Sequence, residues 1–190
     1  MRHPLATDPH NRRPPLLWTD WLLVALTVLV LAQTSQSAAA DPPDVHARKL
    51  MELGTTLSEG TRYLEALDLF EEARHLLEQS GATNSEIYAD TLFALAQTKI
   101  KARIHQHFPA FYVKSALEDV QTANKLRERL PKVLPQKLAE GYFLEGYIQK
   151  KFFMRTPQAE ASFRKTINVD PGHAAAKREL SELIHAGQQK

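Results

Sequence analysis

The stretch from Leu50 to Ala73 sharply limits what this chain can fold into. Its apolar positions run Leu50, Leu53, Gly54 and Leu57, then Ala66, Phe70 and Ala73, alternating small and large residues over two helix-length segments. Spacings of three and four put each set on one helical face. Gly54 has no side chain to hold a second backbone away, and Phe70 is a large knob between two small residues. The pattern asks for two antiparallel helices packed closely through Gly54, with Leu50, Leu53 and Leu57 turned inward. The second helix can continue to Gln79, where Ser80-Gly81 provides a stop. Thr83-Asn-Ser-Glu86 then has the spacing of a capping box that opens the next helix.

The pattern recurs twice. Leu92, Leu95 and Ala96 take the places of Leu50, Leu53 and Gly54, and Ala116, Val120 and Ala123 those of Ala66, Phe70 and Ala73. Ala96 and Ala116 are 20 positions apart where Gly54 and Ala66 are 12, so this copy carries eight extra residues. They fall in Lys99–Phe111, where Pro109 must end or kink a helix. The third copy has Tyr142, Gly146, Ala159, Phe163 and Pro171, with Thr166 where a small residue is expected. Glu145 stands where the first two copies have Leu53 and Leu95, and leaves the helix register open by one. Thr156-Pro157 reads as an N-cap followed by proline at the first helical position. A last helix from His173 to about Ala186, with Leu180 and Ile184 inward, would give an open stack a solvated end.

Taken together, these positions resemble the tetratricopeptide repeat, a helix–turn–helix unit of about 34 residues. With Ala47 as the first position, repeat 1 fills every usual signature position except the last, where Glu78 replaces proline. The resemblance implies an all-α, TPR-like α-solenoid of about three helix pairs plus a C-terminal capping helix. The boundaries it implies are a linker at 41–46, repeat 1 at 47–80, repeat 2 at about 89–130 and repeat 3 at about 137–172. A capping helix at 173–186 and a tail at 187–190 complete them.

The N-terminal 40 residues read differently. Arg2, Arg12 and Arg13 precede an apolar run from Trp21 to Ala32, followed by small polar residues and Ala38-Ala39-Ala40. That is the order of a secretory signal peptide, with cleavage after Ala40. The rival is an uncleaved signal anchor with an apolar core at 16–32, short for a bilayer and interrupted by Asp20. Either exports the remainder. The expected location is extracytoplasmic, in the periplasm of a bacterial envelope, or anchored in the inner membrane and facing the periplasm.

Composition closes off several functions. A net charge of +2 gives no bulk electrostatic case for nucleic acid, and the absence of cysteine excludes disulfides and thiolate chemistry. No glycine-rich phosphate loop, His-Glu-x-x-His helix or Gly-x-Ser-x-Gly elbow occurs. His105 and His107 would point apart on a helix, so packing or solvation is expected of them rather than metal binding. The expectation is no enzyme, no cofactor and no metal.

The resemblance implies a concave groove lined by the first helix of each repeat. Its positions are Arg48, Met51, Thr55 and Ser58, then Asp90, Phe93, Gln97, Ile100 and Lys101, then Glu140, Phe143, Tyr147, Lys150 and Lys151. Phe93, Ile100 and Phe143 can equally serve as packing between repeats. In family members that grip a peptide's C-terminal carboxylate, Lys, Arg and Asn occupy fixed groove positions. Here those positions hold Met51, Thr55, Ala94, Glu140 and Leu144, which lack suitable donors. A second surface is expected at the turns inside repeats 2 and 3, from Arg103, His105, Phe108 and Phe111 with Lys150, Phe152, Phe153 and Arg155. Exposed basic-aromatic clusters of that kind mark interfaces, unless lengthened helices bury the aromatics against each other. The function implied is a scaffold or adaptor binding a protein partner, a peptide segment or an envelope-complex subunit. The alternatives are a carrier enclosing an apolar solute, or a membrane-tethered assembly factor if the anchor is retained.

Overall fold

The computed structural model describes residues 42–188, and the leader expected at 1–40 lies outside them. Seven helices follow one another: α1 (Pro43–Glu59), α2 (Tyr63–Gln79), α3 (Glu86–Gln106), α4 (Phe111–Arg129), α5 (Pro135–Phe153), α6 (Thr156–Val169) and α7 (Ala174–Gln188). No strand occurs among the described residues. α1 pairs with α2, α3 with α4 and α5 with α6, and α7 closes the stack against α6. The first helices of successive pairs also touch, α1 on α3 and α3 on α5. They therefore form the inner layer, with α2, α4 and α6 outside.

Each pair closes on the small residue expected. Ala66, Ala96, Ala116 and Ala159 are fully buried, and Gly54 and Gly146 are buried. A Cβ placed on Gly54 would come within 2.7 Å of Phe70, and one on Gly146 within 2.8 Å of Phe163. The same turn recurs inside each pair. Thr61, His107 and Met154 adopt left-handed φ values of 62°, 55° and 52°, and the amide just after each bonds back across the turn. Those bonds run from Arg62 to the Leu57 carbonyl, Phe108 to Ala102 and Arg155 to Gln149. They satisfy carbonyls that a helix end otherwise leaves free. The extra length of repeat 2 is divided. α3 has 21 residues where α1 has 17, one more turn, and the remainder lies in the 107–110 turn and the start of α4.

Several details depart from the sequence reading. α1 starts at Pro43, so residues 43–46 are its first turn rather than a linker. The cap of α3 is Ser85, whose Oγ accepts the Tyr88 amide, not Thr83. α6 begins at Thr156 without a side-chain cap. Leu53 is 52% exposed, although its counterpart Leu95 is fully buried. Leu95 packs on Ala66, Leu67 and Phe70 of the preceding pair, whereas no described repeat precedes α1. In α7 the buried face is Ala176 and Leu183, with Leu180 half-buried and Ile184 exposed, about one residue round the helix from the expected face. α7 also runs to Gln188, past the expected end. Among the described residues, four clusters of buried apolar side chains form the core.

Candidate partner-binding groove and turn edge

The inner layer bears an open cleft of about 480 Å³ lined by Arg48, Met51, Glu52, Thr55, Thr56, Ile87 and Asp90. Two helical turns along α1 bring Arg48, Met51 and Thr55 to this face, and the N-terminal part of α3 supplies Ile87 and Asp90. Beside it lies a notch of about 60 Å³ between Thr55, Ser58, Gln97, Thr98 and Lys101, with Phe70 at its side. The Ser58 and Thr98 hydroxyls meet there at 3.2 Å. The structure thus brings together seven of the expected groove residues, Arg48, Met51, Thr55, Ser58, Asp90, Gln97 and Lys101. Glu52, Thr56 and Ile87 line the cleft as well and were not expected, since nothing local marks solvent-facing positions as walls of a common space.

The charges of this face are partly neutralised from below. Asp90 accepts from Arg127 at 2.8 Å and from Lys137 at 2.6 Å, and Lys137 also bonds Glu86 at 2.6 Å. Burial pulls the Lys137 ammonium down, but the bonds to Asp90 and Glu86 outweigh it and hold the group above the ordinary lysine value. Arg127 is buried, donates to the Lys137 carbonyl and lies over the Phe93 ring at 4.8 Å. A residue of an outer helix therefore reaches through to the groove floor. Its partners are 37 positions away in sequence for Asp90, so no local pattern could reveal it.

The groove aromatics serve the stack. Phe93 is half-buried between the clusters of repeats 1 and 2, and Ile100 is buried in the second. Phe143 packs on Phe163 and His173, at ring separations of 5.8 Å and 4.8 Å. Tyr147 meets Phe152 edge-on at 6.4 Å. Lys150 turns away from the groove to Glu179 and Glu182 of α7 at 2.7 Å and 2.8 Å. Glu140 is exposed, 3.7 Å from His173 Nε2, and Lys151 is exposed. Further along α3, the buried Lys99 bonds Asp119 at 2.6 Å and Ser115 at 2.9 Å, with Glu71 at 3.6 Å. Burial pushes the Asp119 carboxyl up, while Lys99 pulls it down.

At the turn edge the residues separate into two sets. Phe108 is half-buried against the repeat 1 cluster, and Phe152 and Phe153 against the repeat 2 cluster. Phe111 is exposed and stacks on Tyr112 at 4.4 Å, and His105 stacks on Tyr63 at 6.2 Å. Arg103 donates to the Phe108 carbonyl at 2.8 Å, and Arg155 lies over the Phe153 ring at 4.8 Å. No group of three metal-ligating side chains occurs among the described residues.

Three antiparallel helix pairs stacked with their first helices inward, closed by a solvated helix, define an α-solenoid whose concave face is an open groove. This is the fold of tetratricopeptide-repeat domains. The first TPR of Spaghetti (RPAP3), solved bound to the HSP90 peptide SRMEEVD, superimposes with a TM-score of 0.59 at 15% identity. That match covers 75% of this chain and 94% of the other. The Arabidopsis OM64 TPR domain gives 0.57 at 18% identity, covering 75% of this chain and 97% of its own. No family model and no curated protein matches the chain.

Proposed function

We propose that this protein is a non-catalytic scaffold that holds a segment of a protein partner in its concave groove, outside the cytoplasm and within a bacterial envelope complex. One observation carries the reading: the inner face presents an open cleft of about 480 Å³, continued by the Ser58–Lys101 notch, along helices already ordered by their own cores. A preformed groove spends little on ordering when an extended segment enters it. An enclosed carrier pocket would surround its solute, whereas this cleft opens to solvent. The location rests on the N-terminal pattern of basic, apolar and small residues. The peptide of the RPAP3 complex suggests the kind of partner, but Met51, Thr55, Ala94, Glu140 and Leu144 offer no carboxylate grip. The segment bound here is therefore read along its side chains rather than by its C-terminus.

Peptide display against Asp41–Lys190 tests this, with the variant T55R/Q97R as counter-target. Both positions are exposed on the inner face, so the variant blocks the groove without entering the core. Selected peptides should lose about tenfold or more of their affinity on the blocked variant. Equal binding to both proteins would refute the groove as the site. N-terminal sequencing of exported protein should find Asp41 first, and an intact leader would favour the anchored form.

A further inference from the structure

The intra-repeat turns of repeats 2 and 3 lie in runs of the chain that carry no carboxylate. From Lys99 to Leu117 and from Gly146 to Ala159 there is no Asp or Glu, in a protein with 22 acidic and 24 basic residues. Each run contains one turn. The fold sets the turns side by side: Phe152 packs against the cluster holding Ile100, Val113 and Ala116, and Gln106 ties the second turn to the Thr61 carbonyl of the first. Two of the lysines are spent internally, Lys99 on Asp119 and Lys150 on Glu179 and Glu182. Lys101, Lys151 and Arg155 form no ion pair among the described residues.

Apolar side chains also stand exposed at these two turns. Phe111 is 65% exposed, Met154 86% and Ile104 42%. Met154 occupies the left-handed corner between α5 and α6, where glycine or asparagine would be least strained. The turn itself gives no reason for a long apolar side chain there. These residues lie on three separate segments, Ile104 near the end of α3, Phe111 at the start of α4 and Met154 at the corner after α5. A protein partner would have to offer a pocket for each, whereas the interfacial layer of a bilayer accepts apolar knobs at any spacing. Basic side chains beside such knobs are attracted to anionic headgroups.

We propose that the edge of turns 2 and 3 is a peripheral docking surface for an anionic lipid bilayer. Phe111, Ile104 and Met154 enter the interfacial layer while Lys151 and Arg155 meet lipid phosphates. The surface leaves the groove open, so a tethered scaffold can still hold its partner.

Flotation of Asp41–Lys190 with vesicles of phosphatidylcholine, alone or with about 30% phosphatidylglycerol, tests the proposal. The protein should float with the anionic vesicles only. Binding should fall about tenfold in F111S/M154G and in K151Q/R155Q. Met154→Gly relieves a left-handed non-glycine residue, so the thermal midpoint of the single variant should hold or rise while its binding falls. No flotation with anionic vesicles, equal flotation with both kinds, or undiminished binding by F111S/M154G overturns the proposal. Binding to soluble poly-glutamate but not to anionic vesicles also overturns it and gives the edge to an acidic protein. Phe111 and Met154 lie outside the groove, so neither result bears on peptide binding there.

Discussion

Substituting Gly54 by alanine sets two known effects against each other at one contact. The added Cβ would sit 2.7 Å from Phe70 Cε1 and 2.9 Å from Cζ, against ordinary carbon contacts of about 3.5–4.0 Å. Phe70 is 1% exposed, and Leu67, Leu92 and Leu95 share its cluster, so the ring cannot swing into water. A glycine-to-alanine change inside a helix stabilises by about 1 kcal/mol. Overpacking a filled core costs about 1–3 kcal/mol. With the overlap falling on two ring atoms at once, the upper part of that range applies, and Gly54→Ala should destabilise by about 1–2 kcal/mol net. Phe70→Leu alone leaves a void and should cost about 1–2 kcal/mol, less than the ~3–5 of Phe→Ala. In the double variant the new methyl occupies space the ring has left, so the two losses should fall short of additivity by about 1 kcal/mol. Urea unfolding of the four proteins, followed by helical circular dichroism, measures the cycle. A Gly54→Ala protein stabilised by the full helix-propensity gain, with no coupling to Phe70→Leu, would refute the close approach of α1 and α2.

Other substitutions probe the remaining joints. Lys99→Met should cost about 3–5 kcal/mol by stranding Asp119, and K99M/D119L should recover most of it in thermal melts. A Cβ on Gly141 would lie 2.0 Å from Asn124 Oδ1, so Gly141→Ala should lower urea stability by about 1–3 kcal/mol, with Asn124→Ala in the same chain restoring part of it. The Lys150 clasp on α7 should be pH-dependent. The hydrogen bond from Lys150, and then its charge, hold the Glu182 carboxyl below its ordinary 4.5. Desolvation lowers Lys150, but its bonds to Glu179 and Glu182 leave it above 10.5. The clasp is thus complete between 4.5 and 10.5, weakening as pH falls through the lowered Glu182 value or rises through the raised Lys150 value. The protection factor of the Leu183 amide, its exchange rate relative to an unstructured amide at the same pH, should be lower at about pH 3 than at pH 7 in the wild type, and the difference should shrink in Lys150→Gln.

The helix pairs were legible because close packing leaves a local mark: Gly54, Ala96 and Gly146 each sit where a large knob from the next helix must fit. The exposure of Leu53 was not legible. Its local pattern matches that of the buried Leu95, and only the place of α1 at the end of the described stack separates them. The α7 face was misread by one position because Leu180, Leu183 and Ile184 are all apolar, and the neighbours that select among them lie on other helices. In the groove, the residues on one helix face could be assigned from spacing. Arg127 and Lys137 could not, since their meeting with Asp90 depends on how two repeats are set against each other. The same holds for Lys150, which reads as a groove cation until α7 folds back on it.

Photo-crosslinking is the most direct test of the scaffold reading. A benzophenone amino acid is placed in the native chain at Gln97 on the inner face and, separately, at Arg164 on the outer helix α6, both exposed. Irradiation of intact cells should join one recurrent polypeptide to position 97, through a contiguous segment identified by mass spectrometry, and leave position 164 without it. The same polypeptide joined equally at 164, or nothing joined at 97 in cells where the protein is abundant, would contradict a partner held in the groove.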